Sequence, residues 1–118
     1  MQTETLVKKW FELWEKGDYN ALPVSEKFRH TSPFGTIEGK AQYFKLVAEN
    51  RDKFLGYIFK IHDAIYGERH ASVRYTAIQG DFTLDVSEWY YTEHNLIREI
   101  IAYYHIGEIR TERKLNQA

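Results

Sequence analysis

The stretch FTLDVSEWYYTEHNLIREIIAYYH, residues 82–105, decides the fold class of this chain. It contains two runs rich in β-branched and aromatic residues, and the short polar segment 93–95 between them has the composition of a hairpin turn. Two similar runs precede it along the chain, separated by short breaks that contain glycine. The sequence therefore predicts four consecutive antiparallel strands, at 56–66, 71–79, 82–92 and 96–106.

The N-terminal half of the chain has helical periodicity with one turn-rich interruption. Residues 3–16 place apolar side chains at helical spacing, and Thr3 can cap this helix. An extended segment is expected at 26–31, followed by a turn at 32–35 and a second helix at 40–51. Helices followed by a run of long strands are typical of the α+β class, in which helices cover one face of a sheet.

A two-residue turn at His94 and Asn95 would set the register of the last hairpin. One face then pairs Leu84 with His105, Val86 with Tyr103, Glu88 with Ile101 and Tyr90 with Glu99; the other pairs Asp85 with Tyr104, Ser87 with Ala102, Trp89 with Ile100 and Tyr91 with Arg98. A bulge would exchange these faces, and Asp85 would then replace Glu88 as the candidate carboxylate. Because neither face is wholly apolar or wholly polar, we expect the helices to cover one and a second subunit to cover the other.

The bulk composition excludes several classes of function. The chain has 118 residues, with 16 basic and 17 acidic ones, and it lacks the basic patch of a nucleic-acid binder. It has no cysteine, which excludes a disulfide framework and thiol catalysis, and no apolar run of the ~20 residues that a membrane span needs. We therefore expect one cytoplasmic domain over 1–118, with its core at about 3–108, a polar tail at 110–118, and neither a nucleic-acid nor a membrane partner.

Three motifs carry a resemblance to a known family: WEKGDYNAL at 14–22, FRHTSPFGTIEGK at 28–40 and LIREIIAYYH at 96–105. With the order of helices and strands around them, they resemble the SnoaL-like branch of the nuclear transport factor 2 superfamily. The resemblance implies a cone, in which a strongly curved antiparallel sheet wraps around the N-terminal helices and leaves one apolar pocket. It also implies a homodimer that pairs through the sheet. Because that family includes isomerases, cyclases, dehydratases and non-catalytic domains, the reaction has to be argued from the site.

Four residues are candidate catalytic groups in such a pocket: His30, Glu88, Tyr103 and His105. Several enzymes of the family carry a carboxylate where this chain has His105, and a histidine there either acts as a base or only shapes the pocket. His30 either orients a polar group of the ligand or is a half-exposed loop residue. Glu88 is an acid with a raised pKa if the pocket buries it, and a water-facing side chain otherwise. Tyr103, like Tyr75, either donates a hydrogen bond to a developing oxyanion or belongs to the core.

The aromatic fraction of the chain is 16%, which suits either a lined pocket or a dimer face. We expect a small apolar molecule as the ligand, contacted by Trp10, Trp14, Phe28, Ser32, Phe34, Tyr43, Tyr75 and Val86. Since no histidine has a partner at metal-binding spacing, neither a metal nor another cofactor is expected. Three functions stay open: a proton-transfer enzyme of isomerase, cyclase or dehydratase type acting on a cyclic or carbonyl compound, a non-catalytic binding module, and a domain that only dimerises.

Overall fold

A computed structural model describes residues 2–105 and 107 of the chain. Its helices are α1 (Thr3–Lys16), α2 (Lys40–Glu49) and α3 (Arg51–Phe54), with a 3₁₀ turn at Tyr19–Ala21. Its strands are β1 (Val24–Ser32), β2 (Gly35–Glu38), β3 (Ile58–Tyr66), β4 (His70–Gln79), β5 (Phe82–Glu93) and β6 (Leu96–Tyr103). The α+β class is confirmed, with helices against one face of a curved, unclosed sheet.

The sheet has the strand order β2-β1-β6-β5-β4-β3, and it is mixed. Every neighbouring pair is antiparallel except β1 and β6, which run parallel. The four consecutive strands β3 to β6 are antiparallel as predicted, and the parallel pairing is made by β1, which the sequence did not place in the sheet. Two helices and four strands separate β1 from β6 in the chain, and this long connection lets β6 return beside β1 in the same direction.

Helix α1 covers the inner face of the sheet. Its buried apolar side chains recur at helical spacing: Leu6, Val7, Trp10, Leu13 and Trp14. They form one core with buried inner-face residues of β4, β5 and β6, such as Val73, Tyr90 and Ile100. Burial of this aromatic and aliphatic surface is the main force that holds the helix on the sheet.

Thr3 was expected to cap α1, but the structure shows that it does not. The N-cap is Gln2, which makes no side-chain cap bond, and Thr3 is the first residue of the helix. The Thr3 hydroxyl instead donates to the carbonyl oxygen of Glu68 at 2.7 Å and shares a hydrogen bond of 2.9 Å with the Thr92 hydroxyl. The buried Thr3 hydroxyl thus ties the start of α1 to the sheet, and Gly17, with φ of 80°, ends the helix.

The turn region after β1 differs from the prediction. The extended segment expected at 26–31 is longer, and residues after the turn form β2, which pairs with β1 as a hairpin. The sequence did not predict β2. The second helix, expected as one piece at 40–51, is divided at the buried Asn50, whose side-chain amide donates to the carbonyl oxygen of Leu46 at 2.9 Å. After this break, Lys53 and Phe54 of α3 line the same interior as α1, and Phe54 stacks on Trp14 with 5.9 Å between the ring centroids.

The last hairpin has the predicted turn but a different register. His94 and Asn95 have φ of 53° and 62°, the left-handed conformations that a type I′ turn requires. The last strand ends at Tyr103 rather than at Ile106, and Ile106 and the tail at 110–118 lie outside the described residues.

A bulge in β6, at Arg98, causes the change of register. The pairing with β6 shifts between Tyr91 and Thr92, so Glu88 pairs with Ala102 and not with Ile101. The sequence placed Glu88 and Tyr103 on one face, and the shift by one residue separates them. Glu88 stays on the inner face, and Tyr103 lies on the outer face with 59% of its surface exposed.

Candidate functional site

A cavity of about 180 Å³ lies between the inner face of the sheet and helices α1, α2 and α3. Most of the side chains that line it are aromatic or aliphatic. Seven of the residues predicted for the site are among them: Trp10, Trp14, His30, Tyr43, Tyr75, Val86 and Glu88. Glu88, on the inner face of β5, therefore lies in the wall of a cavity.

Glu88 is the buried acidic residue of this cavity, with only 4% of its surface exposed. Tyr75, on the neighbouring strand β4, donates its hydroxyl to Oε1 of Glu88 at 3.0 Å. Tyr90, two residues further along β5 and therefore on the same face, also donates to Oε1. Among the described residues, none donates a hydrogen bond to Oε2. One carboxyl oxygen is thus fixed by the protein, and the other is left for a ligand.

Burial raises the pKa of Glu88 to about 7. The hydrogen bonds from Tyr90 and Tyr75 act in the opposite direction, because they stabilise the charged form, but burial outweighs them. This is the rise that the sequence predicts for a carboxyl group in an aromatic pocket. Burial, with the charge of Glu88 as a further cause, also raises the pKa of Tyr43 and Tyr75 well above its usual value. These phenols therefore remain protonated donors around the carboxyl group.

His30 enters the cavity from β1. Its ring stacks on Tyr43, with 5.2 Å between the ring centroids, and lies tilted against Phe28 at 6.3 Å. Burial lowers the pKa of His30 to about 4, so the imidazole is neutral at physiological pH. Its ring nitrogens make no hydrogen bond with the described residues. A neutral imidazole has one N–H donor and one acceptor nitrogen, and both are available to a ligand.

A second cavity of about 430 Å³ adjoins the first. The two share four lining residues: His30, Tyr43, Phe54 and Tyr104. Ser32 and Phe34, both predicted as ligand contacts, line this second cavity, which the turn between β1 and β2 closes on one side. Phe28 lines neither cavity, because it is fully buried behind His30 and Tyr43, and its expected ligand contact is wrong.

Two of the predicted catalytic residues lie away from the cavity. Tyr103 is on the outer face because of the bulge in β6, and the inward position beside it belongs to Tyr104. His105 is exposed beyond the end of β6, where its Nδ1 accepts a hydrogen bond of 3.1 Å from the backbone N–H of Gly107. His105 therefore neither acts as a base in this cavity nor shapes it.

Several residues of the site were missed from the sequence: Phe11, Lys53, Phe54, Tyr57, Phe59, Ala77, Leu84, Tyr90, Ala102 and Tyr104. Alternation along β4 and β5 would have found Ala77 and Leu84, because they share a face with Tyr75 and Val86. Tyr104 could not be found without knowledge of the bulge. Lys53 and Phe54 depend on the break at Asn50, which the helical pattern of 40–51 does not reveal.

Neither a metal centre nor a membrane span emerges from the described residues. Within them, His, Asp and Glu side chains form no group of three or more that could hold a metal ion. No helix at 2–105 has the length and apolar character needed to cross a bilayer.

Comparisons with known proteins agree with this architecture. A family model described as a SnoaL-like domain matches residues 7–100. Solved structures with similar folds include an NTF2-like protein of unknown function from Cytophaga hutchinsonii, with a TM-score of 0.75 and 19% identity over 89% of this chain and 91% of that one. A proposed ketosteroid isomerase from Kribbella flavida has a TM-score of 0.75 and 18% identity over 88% and 78%. A proposed polyketide cyclase from Pseudomonas putida has a TM-score of 0.75 and 17% identity over 92% and 95%. No match was found among curated protein sequences.

Proposed function

The chain belongs to the SnoaL-like domain family, and from that premise we propose that it is an enzyme that moves a proton, with its own side chains, on a small and largely apolar carbonyl compound. The observation that carries this proposal is the state of Glu88. It is a buried carboxyl group whose pKa lies at about 7, held at one oxygen by Tyr75 and Tyr90 and open at the other. A general base works best when its pKa is close to the working pH, because it is then both available and strong.

In the proposed reaction, Oε2 of Glu88 removes a proton from the carbon next to the carbonyl group of the ligand. The electron pair of the broken C–H bond becomes the double bond of an enolate, and the carbonyl oxygen takes the negative charge. Glu88, now neutral, can return the proton to the same carbon or to a different one. If the ligand has a C=C bond between its β- and γ-carbons, the intermediate is a dienolate, and return of the proton to the γ-carbon moves the double bond into conjugation with the carbonyl group without any other reactant.

The enolate oxygen needs a hydrogen-bond donor, and His30 is the residue that best fits this role. Because burial holds its pKa at about 4, it donates as a neutral imidazole and adds no cation to the apolar cavity. Preorganised donors in a site that excludes water stabilise developing negative charge far better than water does. The aromatic stacking of His30 on Tyr43 holds the ring in place for this contact.

The experiment that tests the proposal is hydrogen exchange on a ligand carbon. A panel of cyclic ketones is incubated with the protein in deuterated buffer, and NMR follows the exchange of the protons next to the carbonyl group. We expect Glu88→Gln, which keeps the shape of the side chain, to lower the exchange rate by about 10²- to 10⁴-fold. Asp85→Asn is the matched control, since it neutralises an exposed carboxylate on the same strand. Equal rates for wild type and Glu88→Gln would contradict the proposal.

A non-catalytic binding module is the second candidate function. The aromatic lining of the cavity favours it, because such a surface binds an apolar molecule without any chemistry. Ligand binding to the wild type with no exchange of ligand protons would support this function. A domain that only dimerises around a collapsed pocket is the least favoured, since the described residues enclose two adjoining cavities.

A homodimer that pairs through the sheet stays a prediction. The outer face of the sheet supports it with exposed apolar side chains, among them Ile58 at 65% exposure, Trp89 and Tyr103. Sedimentation velocity of the wild type and of Trp89→Glu would test this pairing, because a charge placed in the contact is expected to shift the protein toward the monomer.

A further inference from the structure

Lys53 introduces one cation into the wall of the Glu88 cavity. It belongs to α3, and its half-buried side chain lines the cavity together with those of Phe54 and Tyr57. Among the described residues of this lining, Lys53 and Glu88 are the charged ones, and the others are aromatic, aliphatic or, like His30, neutral. Within the described part of the chain, the cavity therefore has one acidic group on its sheet wall and one basic group on its helical wall.

The ammonium group of Lys53 has no counterion in the described part of the chain. Its side chain makes neither an ion pair nor a hydrogen bond there. In the described part of the chain Lys8 and Lys16 have ion-pair partners, at 2.7 Å and 3.0 Å, whereas Lys53, like several exposed lysines, has none. What distinguishes Lys53 is its place in the cavity wall, where a bound anion can pair with it through charge-assisted hydrogen bonds.

We propose that the ligand of this cavity is an oxo acid, with its carbonyl group at Glu88 and a carboxylate at Lys53. The inference rests on the proposed function, because the position of the carbonyl group follows from Glu88 as the base. It adds a recognition element that fixes how the ligand lies in the cavity.

The placement of the two charges fits this orientation. A ligand carboxylate beside Glu88 would repel the ionised base and would favour its protonated form. Binding of the carboxylate at the helical wall keeps that charge away from the sheet wall, so Glu88 can still accept a proton. A compact ring between the two ends would contact the aromatic side chains around it.

The test compares two probes that differ only in charge: 4-oxocyclohexanecarboxylate and its methyl ester. Their affinities are measured by calorimetric titration for the wild type, for Lys53→Met and for Lys60→Met. The methionine keeps the apolar stem of Lys53 and removes its charge. Lys60 is the matched control, because it is exposed on the outer face of β3 and its loss changes the net charge equally.

We expect the wild type and Lys60→Met to bind the carboxylate about tenfold more tightly than the ester, the size of one charge-assisted hydrogen bond. Lys53→Met should lose this preference while its affinity for the ester stays the same. A wild type without a preference for the carboxylate overturns the inference. A Lys53→Met protein that binds both probes more weakly by the same factor also overturns it, since Lys53 would then act only in packing.

Glu88→Gln separates this inference from the proposed function. The variant should keep the carboxylate preference, because Lys53 is unchanged, and should lose proton exchange. If the preference persists but Glu88→Gln exchanges ligand protons at the wild-type rate, recognition of a ligand carboxylate by Lys53 stands, whereas the catalytic role of Glu88 and the carbonyl position derived from it fail.

Discussion

Glu88 and Asp85 lie on the same strand, β5, but on opposite faces of the sheet. Each accepts a hydrogen bond from a hydroxyl group of the neighbouring strand β4. Tyr75 donates to Glu88 at 3.0 Å, and Thr76 donates to Asp85 at 2.6 Å. The local bonding of the two carboxyl groups is therefore similar, and their surroundings differ: Glu88 lies in the cavity, and Asp85 is exposed on the outer face.

The comparison shows that the raised pKa of Glu88 comes from its position on the buried face of the sheet and not from its hydrogen bonds. Two hydroxyl donors lower the pKa of Glu88, and burial still raises it to about 7. Water can solvate Asp85, so the same kind of donor there stabilises an ordinary surface carboxylate. The chemistry of the site thus depends on which residues the strand turns inward.

The largest expected effect is on the free energy of unfolding, when the same residue type, isoleucine, is replaced on each of the two faces. Ile100 is fully buried on the inner face of β6, and Ile65 is 75% exposed on the outer face of β3. Ile100→Ala should lower the free energy of unfolding by roughly 2–5 kcal/mol, because it leaves a cavity in the core. Ile65→Ala should change it by less than about 0.5 kcal/mol. Urea denaturation followed by circular dichroism measures both values.

Equal losses for the two variants would contradict a solvent-facing outer surface. The expected explanation would then be a second subunit that buries Ile65, and the loss should depend on protein concentration. This outcome would break the contrast between the faces and support the sheet-paired homodimer.

The second effect is the pH dependence that the two buried titratable groups give to stability. The pKa of Glu88 is about 7 in the fold against an ordinary value of 4.5, so the folded state holds a proton that the unfolded state releases. Stability from this group therefore falls as pH rises from 4.5 to 7, by about 3 kcal/mol.

His30 acts in the opposite direction. Its pKa is about 4 in the fold against 6.5, so the unfolded state takes up a proton that the folded state does not. Stability from His30 therefore rises as pH rises from 4 to 6.5, by a similar amount of about 3 kcal/mol. Over the shared range the two contributions offset each other in the wild type.

Single variants should reveal each contribution. We expect the stability of Glu88→Gln to rise between pH 4 and 6.5, where only His30 titrates, and the stability of His30→Gln to fall between pH 4.5 and 7. Urea denaturation at half-unit steps of pH measures both slopes, and Asp85→Asn is the control for a carboxylate on the outer face. Identical slopes in all three variants would mean that neither buried group titrates as described.

Much of this contrast between faces could be predicted from the sequence. Alternation along β5 placed Glu88 with Val86 and Tyr90, and the turn at His94 and Asn95 was identified from its composition. These features depend on residues that are neighbours in the chain. Local patterns are enough to establish them.

The features that were predicted wrongly or missed depend on how separate strands pair with one another. The bulge at Arg98 of β6, opposite Tyr91 and Thr92, exchanges the faces of the β6 residues beyond it, so Tyr103 was chosen where Tyr104 lies. A shift of one residue in register moves every side chain of a strand to the other face, and alternation within the strand does not reveal it. The parallel pairing of β1 with β6 likewise depends on chain topology and not on composition.

The smallest expected effect compares two tyrosines that the sequence treated alike, Tyr75 and Tyr103. Tyr75→Phe removes one of the two hydroxyl groups that stabilise ionised Glu88, so the pKa of Glu88 should rise further, by about one unit. Because less of the base is then ionised at pH 7, exchange of ligand protons should slow several-fold there and recover at higher pH. Tyr103→Phe should leave the pH profile unchanged, because that hydroxyl lies on the outer face. A shifted profile for Tyr103→Phe, measured by the same NMR exchange, would mean that the register of β6 in solution places Tyr103 against the cavity.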